Sequence, residues 1–216
     1  MTEDEIFQAV ERLREEVDRL GDAYYHWKSI HNIASRLNAS TIKYHSGFWA
    51  TTLYSLQNTY VLGLSKLYDK RRDAFTIDYV LDKCKTYKGY FDKTHLGKRK
   101  NPEYAEDKFE PSEMDFDRLA ESCDESREIV LNRIHPLRHN VVAHSSQNLY
   151  GDDIGQMYGN VDTDSIELVI NFAYTLGQSL WCCWMNGHEF HSEIKTYQTY
   201  PSLESDIEDL LHKASQ

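Results

Sequence analysis

Residues 136 to 146, "PLRHNVVAHSS", set a guanidinium, an amide and two imidazoles among aliphatic side chains. Polar groups are costly to bury without partners, so Arg138, His139, Asn140 and His144 need either partners or a task. Their types suit phosphodiester chemistry. An imidazole titrates near neutrality and can take or return a proton, while a guanidinium holds a phosphate and the charge that grows on it. With a ribose 2′-hydroxyl as nucleophile such a site needs no metal. Its products are a cyclic phosphate and a 5′-hydroxyl, and DNA is not a substrate.

Spacing adds a condition. On an ideal α-helix the six positions from Arg138 to His144 leave the two side chains about 120° apart, so they do not converge. Either the helix bends or a second chain supplies the other half. Pro136 lacks a backbone donor and its ring clashes with the carbonyl four residues earlier, which predicts a kink or restart there. Asn140 and His144, at i and i+4, share a face. In a two-fold dimer the segment would meet its own copy and place two Arg and two His in one cleft.

The elements that must position this segment read as helices. Thr2 and Glu5 have capping-box spacing, and Ile6, Val10, Leu13, Val17 and Leu20 follow at helical intervals, with Gly21 a candidate bend. Ser40 is a candidate cap for a second helix with the stripe Phe48, Leu53, Leu56, Tyr60, Leu64 and Leu67, ending near Tyr68 and Asp69. Thr76 is the expected cap of a shorter helix through "FTIDYVLDKCKTY". Residues 89–111 are polar and aperiodic, with Gly89, Gly97, Pro102 and Pro111, and read as a long mobile loop. A helix from about Ser112 keeps Val130, Ile134, Leu137 and Val141 on one face across Pro136. After a Gly- and Asp-rich loop from Tyr150 to Asn160, Asp162, Thr163 or Asp164 can cap "SIELVINFAYTLGQSLWCCWMNG". That helix is apolar round most of its circumference and is the expected central element. "PSLESDIEDLLHKA" closes the chain as an amphipathic piece. With no strand, hairpin or repeat pattern, the fold class is all-α, an irregular bundle with a kinked motif helix.

At this point the residues meet a known family. "R-H-N-V-V-A-H", Arg138 to His144, resembles the Arg-x4-6-His signature of HEPN domains, and the five-residue gap with Ala143 before His144 is similar to the AbiU2 branch, linked to abortive phage infection. "LSKLYDKRRDAFTIDYVL", Leu64 to Leu81, resembles the same branch's apolar helix, Leu-x-Asp ending and Thr-Ile start. The likeness covers about residues 1–190 as one helical domain and leaves 191–216 as a tail. It implies a homodimeric, metal-independent endoribonuclease with Arg138 and His144 as the catalytic pair, no cofactor, and a neutralising antitoxin or regulatory protein as a further partner. Where the family has a polar residue after the Arg, this chain has His139 followed by Asn140, and both are expected to support the pair. Some relatives carry a modifiable Tyr two residues after the His. Here that position is Ser146, so this regulation is not expected. Other HEPN domains are non-catalytic, and an interaction or sensing module in such a system is the alternative.

Charge bears on the RNA. The formal net charge is -11, which weakens non-specific attraction to polyanions. Yet Lys66 to Lys100 holds 11 Lys/Arg against 5 Asp, followed by an acidic stretch from Asn101 to Glu128 with 11 Asp/Glu against 3 Lys/Arg. Lys66, Lys70, Arg71, Arg72, Lys98, Arg99 and Lys100 are candidate guides for RNA. Asp69 is expected to pair with Lys66 or Arg72. Two histidine pairs, His135 with His139 and His188 with His191, have spacings a helix could offer to zinc, but no further ligands accompany them, so no metal is expected. "WCCW", Trp181 to Trp184, reads as core, and the tyrosines as core or interface rather than base-stacking platforms. Four cysteines without a CxxC, no window long enough to span a membrane, and an acidic N-terminus imply a reduced, cytoplasmic protein.

Overall fold

The computed structural model describes residues 1–36, 46–71, 73–139 and 162–213, and among them every regular element is helical. The longest is α1, Glu3–Arg36. It starts as its capping box dictates: the Glu5 amide donates to Thr2 Oγ1 (3.3 Å) and the Thr2 amide to Glu5 Oε2 (2.7 Å). Gly21 does not interrupt it. A Cβ there would lie 2.7 Å from the Tyr197 ring, so the glycine makes room for an aromatic residue from the far end of the chain.

α2, Ser46–Leu67, runs antiparallel to α1, with Lys66 Nζ on Glu16 (3.0 Å), Gly63 against Leu20, and the Tyr60 and Tyr24 rings edge to face. Ser40, its expected cap, falls outside the described residues. Thr76 caps α3, Ile77–Thr86, by accepting from the Tyr79 amide (3.1 Å).

The expected loop at 89–111 is largely helical. A 3₁₀ turn, Lys88–Phe91, leads into α4, Lys93–Arg99, and α5, Pro102–Ala105. Asp92 and Asn101 cap the two helices, accepting from the amides of His95 (2.7 Å) and Tyr104 (2.6 Å), and Pro102 sits at a first-turn position where no donor is missed. Phe91, Leu96 and Ala105 each bury one apolar anchor. With a single anchor per short turn no periodicity can form, which is why the pattern looks like loop.

α6, Glu113–Ser122, opens on a second capping box, Ser112 with Asp115. The single helix expected to follow is jointed at Cys123, after which α7, Asp124–Ile129, leads toward the motif. α8, Thr163–Asn186, is capped by Asp162 and closed by Gly187 in the left-handed region at φ 60°. It lies antiparallel to α1: Tyr24 meets Thr163 and Glu167 near one end, and Phe7 stacks on Trp184 at the other.

α8 is less apolar than its sequence suggests. Asn171, Thr175 and Ser179, four apart, form a polar stripe that takes the amides of Tyr197 (2.8 Å), Lys195 (2.7 Å) and His191 (3.0 Å). The extended segment they hold carries Tyr197 into the core, where its hydroxyl reaches the Asp18 carbonyl and Asp22. Residues expected as a tail are thus fastened to the domain. α9, Leu203–Lys213, then packs on the far ends of α1 and α2.

Candidate functional site

Beyond Ile129 the helix of α7 does not stop but widens. Val130–Ile134 form a π-helical turn, in which the His135 amide reaches back to the carbonyl of Val130, five residues away. Pro136 accounts for this: it has no N–H for the carbonyl of Asn132, and its ring keeps that carbonyl away. His135–Leu137 return to α-helix, and π geometry resumes at Arg138 and His139. The expected kink therefore takes the form of π turns on both sides of the proline.

Three contacts fix where this segment points. Leu137 is buried in the core. His135 Nε2 lies 3.1 Å from the carbonyl of Ser65, near the end of α2. Arg133 donates to Asp162 (2.7 Å) and to Ser165 Oγ (2.9 Å), joining the motif helix to the start of α8. Hydrogen bonds from Ser165 hold the Asp162 carboxyl below the usual range. Arg138 follows, half-buried, and then His139, exposed. Asn140 and His144 lie outside the described residues.

The two basic runs are far apart. Lys66 follows directly on Ser65, whose carbonyl faces the motif helix, with its own ammonium on Glu16; Lys70 and Arg71 lie beyond it beside Thr76 and Asp78 of the α3 start, whereas Arg72 lies outside the described residues. Lys98, Arg99 and Lys100 sit where α8 ends, since Arg99 bonds the Trp184 carbonyl (3.0 Å). From Thr163 to Trp184 is about 30 Å along a helix. Arg99 is also committed internally: it pairs with Glu3, donates to the Tyr90 carbonyl (3.1 Å) and covers the Trp184 ring. The guanidinium expected to guide RNA is thus engaged within the fold. Asp69, expected to pair with Lys66 or Arg72, takes the Arg71 amide (3.0 Å) and guanidinium (3.4 Å), while Lys66 is on Glu16 and Arg72 lies outside the described residues.

Among the described residues no three His, Cys, Asp or Glu side chains gather as a metal site would need. His135 uses Nε2 on Ser65, and His191 Nε2 lies 2.8 Å from Lys195 Nζ. Burial, and then the charge of Lys195, hold the His191 imidazole below its usual pKa. The cysteines are free, and burial pushes the Cys183 thiol up to about 12, far from a reactive thiolate. No described helix is long and apolar enough to cross a membrane.

One feature beside the site gave no signal in the sequence. Glu167, one turn into α8, takes both the Tyr24 hydroxyl (2.9 Å) and the Lys28 ammonium. Burial, then the charge of Glu167, push the Tyr24 hydroxyl well above its ordinary pKa, so it stays a proton donor. The residues involved are more than 130 positions apart in the chain, and no local pattern links them.

No curated protein and no solved structure matches the chain. The family model HEPN_AbiU2, described as AbiU2, matches residues 3–211, a span that takes in α1 through most of α9 and the whole Arg138–His144 stretch. With nearly the full length matched, the chain belongs to the AbiU2 family of HEPN domains.

Proposed function

We propose that this protein is a metal-independent endoribonuclease acting in abortive infection or as a toxin. The observation that carries the reading is the position of Arg138: it emerges half-buried, directly after core-anchored Leu137, from a helix whose π turns re-aim its end. A guanidinium at that point would clamp a phosphate against the protein surface. In the proposed reaction His144 takes the proton of a ribose 2′-hydroxyl or returns one to the departing 5′-oxygen. The 2′-oxygen attacks the neighbouring phosphorus, the bond to the 5′-oxygen breaks, and a 2′,3′-cyclic phosphate is left. His139 and Asn140 would orient the pair. A two-fold dimer would complete the cleft with the same residues from the second copy, and Lys66, Lys70 and Arg71 would lead RNA into it.

The deciding experiment offers a mixed RNA pool and a matched DNA pool, with chelator present, to wild type, Arg138→Ala and His144→Ala. RNA-only cleavage that survives chelator and falls by about 10²–10⁴-fold in each variant supports the reading. Intact RNA with pure wild type would favour a non-catalytic interaction module. Cleavage persisting in both variants would remove the pair from catalysis.

A further inference from the structure

The far ends of α1 and α2 extend past the main bundle and make a separate small cluster with α9, in which Ile30, Ile33, Trp49 and Leu211 are buried. A groove of about 380 Å³ runs beside it. Its walls include Phe48, Tyr200 and Leu210, which are 63, 63 and 54% exposed. Single exposed apolar residues are ordinary, but three large ones opening on one groove mark a docking surface.

Charge decides what docks. Asp206 stands on the groove, and Glu204 and Asp209 are exposed on the same short helix. Among the described residues the one imidazole in the wall, His26, has Nδ1 against the Asp22 carbonyl (2.7 Å). A second copy meeting this face about a two-fold axis would bring its own α9 carboxylates against them. RNA and anionic lipid would be repelled in the same way. We propose that the groove binds a cationic amphipathic helix of a partner protein. Its aliphatic side chains would enter between Phe48, Tyr200 and Leu210, and its Lys or Arg residues would meet Asp206 and Asp209. The inference is independent of the ribonuclease reading.

The test titrates the full chain with a synthetic leucine–lysine amphipathic helix of about 18 residues and with its leucine–glutamate counterpart, read by calorimetry. The lysine peptide should bind one to one at micromolar concentration, and Leu210→Asp or Phe48→Asp should weaken it about tenfold or more. Both positions are exposed, so circular dichroism should stay unchanged. Asp206→Lys with Asp209→Lys should abolish binding of the lysine peptide and admit the glutamate peptide. Glu103→Lys with Glu106→Lys makes the same charge change at α5 and should leave binding intact. The proposal is overturned if that control pair weakens binding as much as the α9 pair, if the lysine peptide produces no heat, or if sedimentation shows a dimer that Leu210→Asp dissolves, which would give the groove to a second copy.

Discussion

Two runs of basic residues look alike in the sequence and play different parts in the molecule. In the second run, Arg99 has been drawn inward: it pairs with Glu3, donates to two backbone carbonyls and lies over Trp184, with its side chain only 21% exposed. The first run stays outside. Lys66, Lys70 and Arg71 are exposed, and the turn they occupy continues from Ser65, the residue whose carbonyl faces the motif helix. Composition reports charge, but only long-range partners decide whether that charge is spent on the fold or left for a ligand. A guanidinium among carbonyls and a tryptophan ring is largely spent this way, because its terminal donors and flat face match both; only the buried Nε of Arg99 finds no hydrogen-bond partner among the described residues.

The largest effect should come from breaking the spent charge. Arg99→Ala strands the Tyr90 and Trp184 carbonyls and Glu3, and should cost about 3 kcal/mol. In a chain of this length that lowers the melting temperature by roughly 6–12 °C. Lys98→Ala and Lys100→Ala, exposed neighbours on either side, should stay within about 0.5 kcal/mol. Equal losses at all three positions would erase the distinction between the runs.

The next effect tests the link between the first run and the motif. His135→Ala leaves the Ser65 carbonyl without its imidazole and should cost about 1–1.5 kcal/mol. His135→Gln, whose amide can donate from nearly the same place, should recover most of it. Hydrogen exchange of the Ile134–Arg138 amides should speed up in the first variant and return in the second. Unchanged exchange in both would mean that Pro136 and Leu137 alone set the helix end.

A smaller effect concerns RNA. Lys70→Ala with Arg71→Ala should leave stability unchanged and weaken binding to a non-cleaved RNA analogue across all sequences. The slope of log affinity against log salt should fall by about 0.7 for each phosphate that the variant no longer neutralises. Lys98→Ala with Lys100→Ala should not move the slope. If it does so equally, the RNA path crosses both ends of α8.

What could be read in advance follows from the range of the interactions. Thr2, Thr76 and Asp162 were legible as caps because each bonds an amide three residues on. The helical nature of 88–105 was hidden because Phe91 and Leu96 pack against distant elements and share no periodic face. The polar residues Asn171, Thr175 and Ser179 stand at helical spacing in the sequence, yet their purpose lies in a segment that follows the helix and folds back. At the site, residue types alone suggested a phosphate-holding role for Arg138. Its placement depends on His135 and Ser65, seventy positions apart, and on a helix break that Pro136 announced without disclosing its π form.

The smallest effect belongs to Lys66, the member of the outer run with a partner on the bundle. Burial raises the pKa of Glu16, but hydrogen bonds from Arg19 and Lys66 outweigh it, and the carboxyl sits below its ordinary value of 4.5. A depressed folded pKa means that the stabilisation is present above the unfolded value and is lost as pH falls through the folded one. Lys66→Met should therefore differ from wild type by less than about 1 kcal/mol at pH 7, because Lys66 is 46% exposed and solvent screens the pair. The difference should vanish on the acid side of 4.5, where Glu16 takes up its proton. A gap that persists into strong acid would show that Lys66 contributes through its aliphatic stem rather than its charge, and would move it from the ligand-facing residues to those spent on the fold.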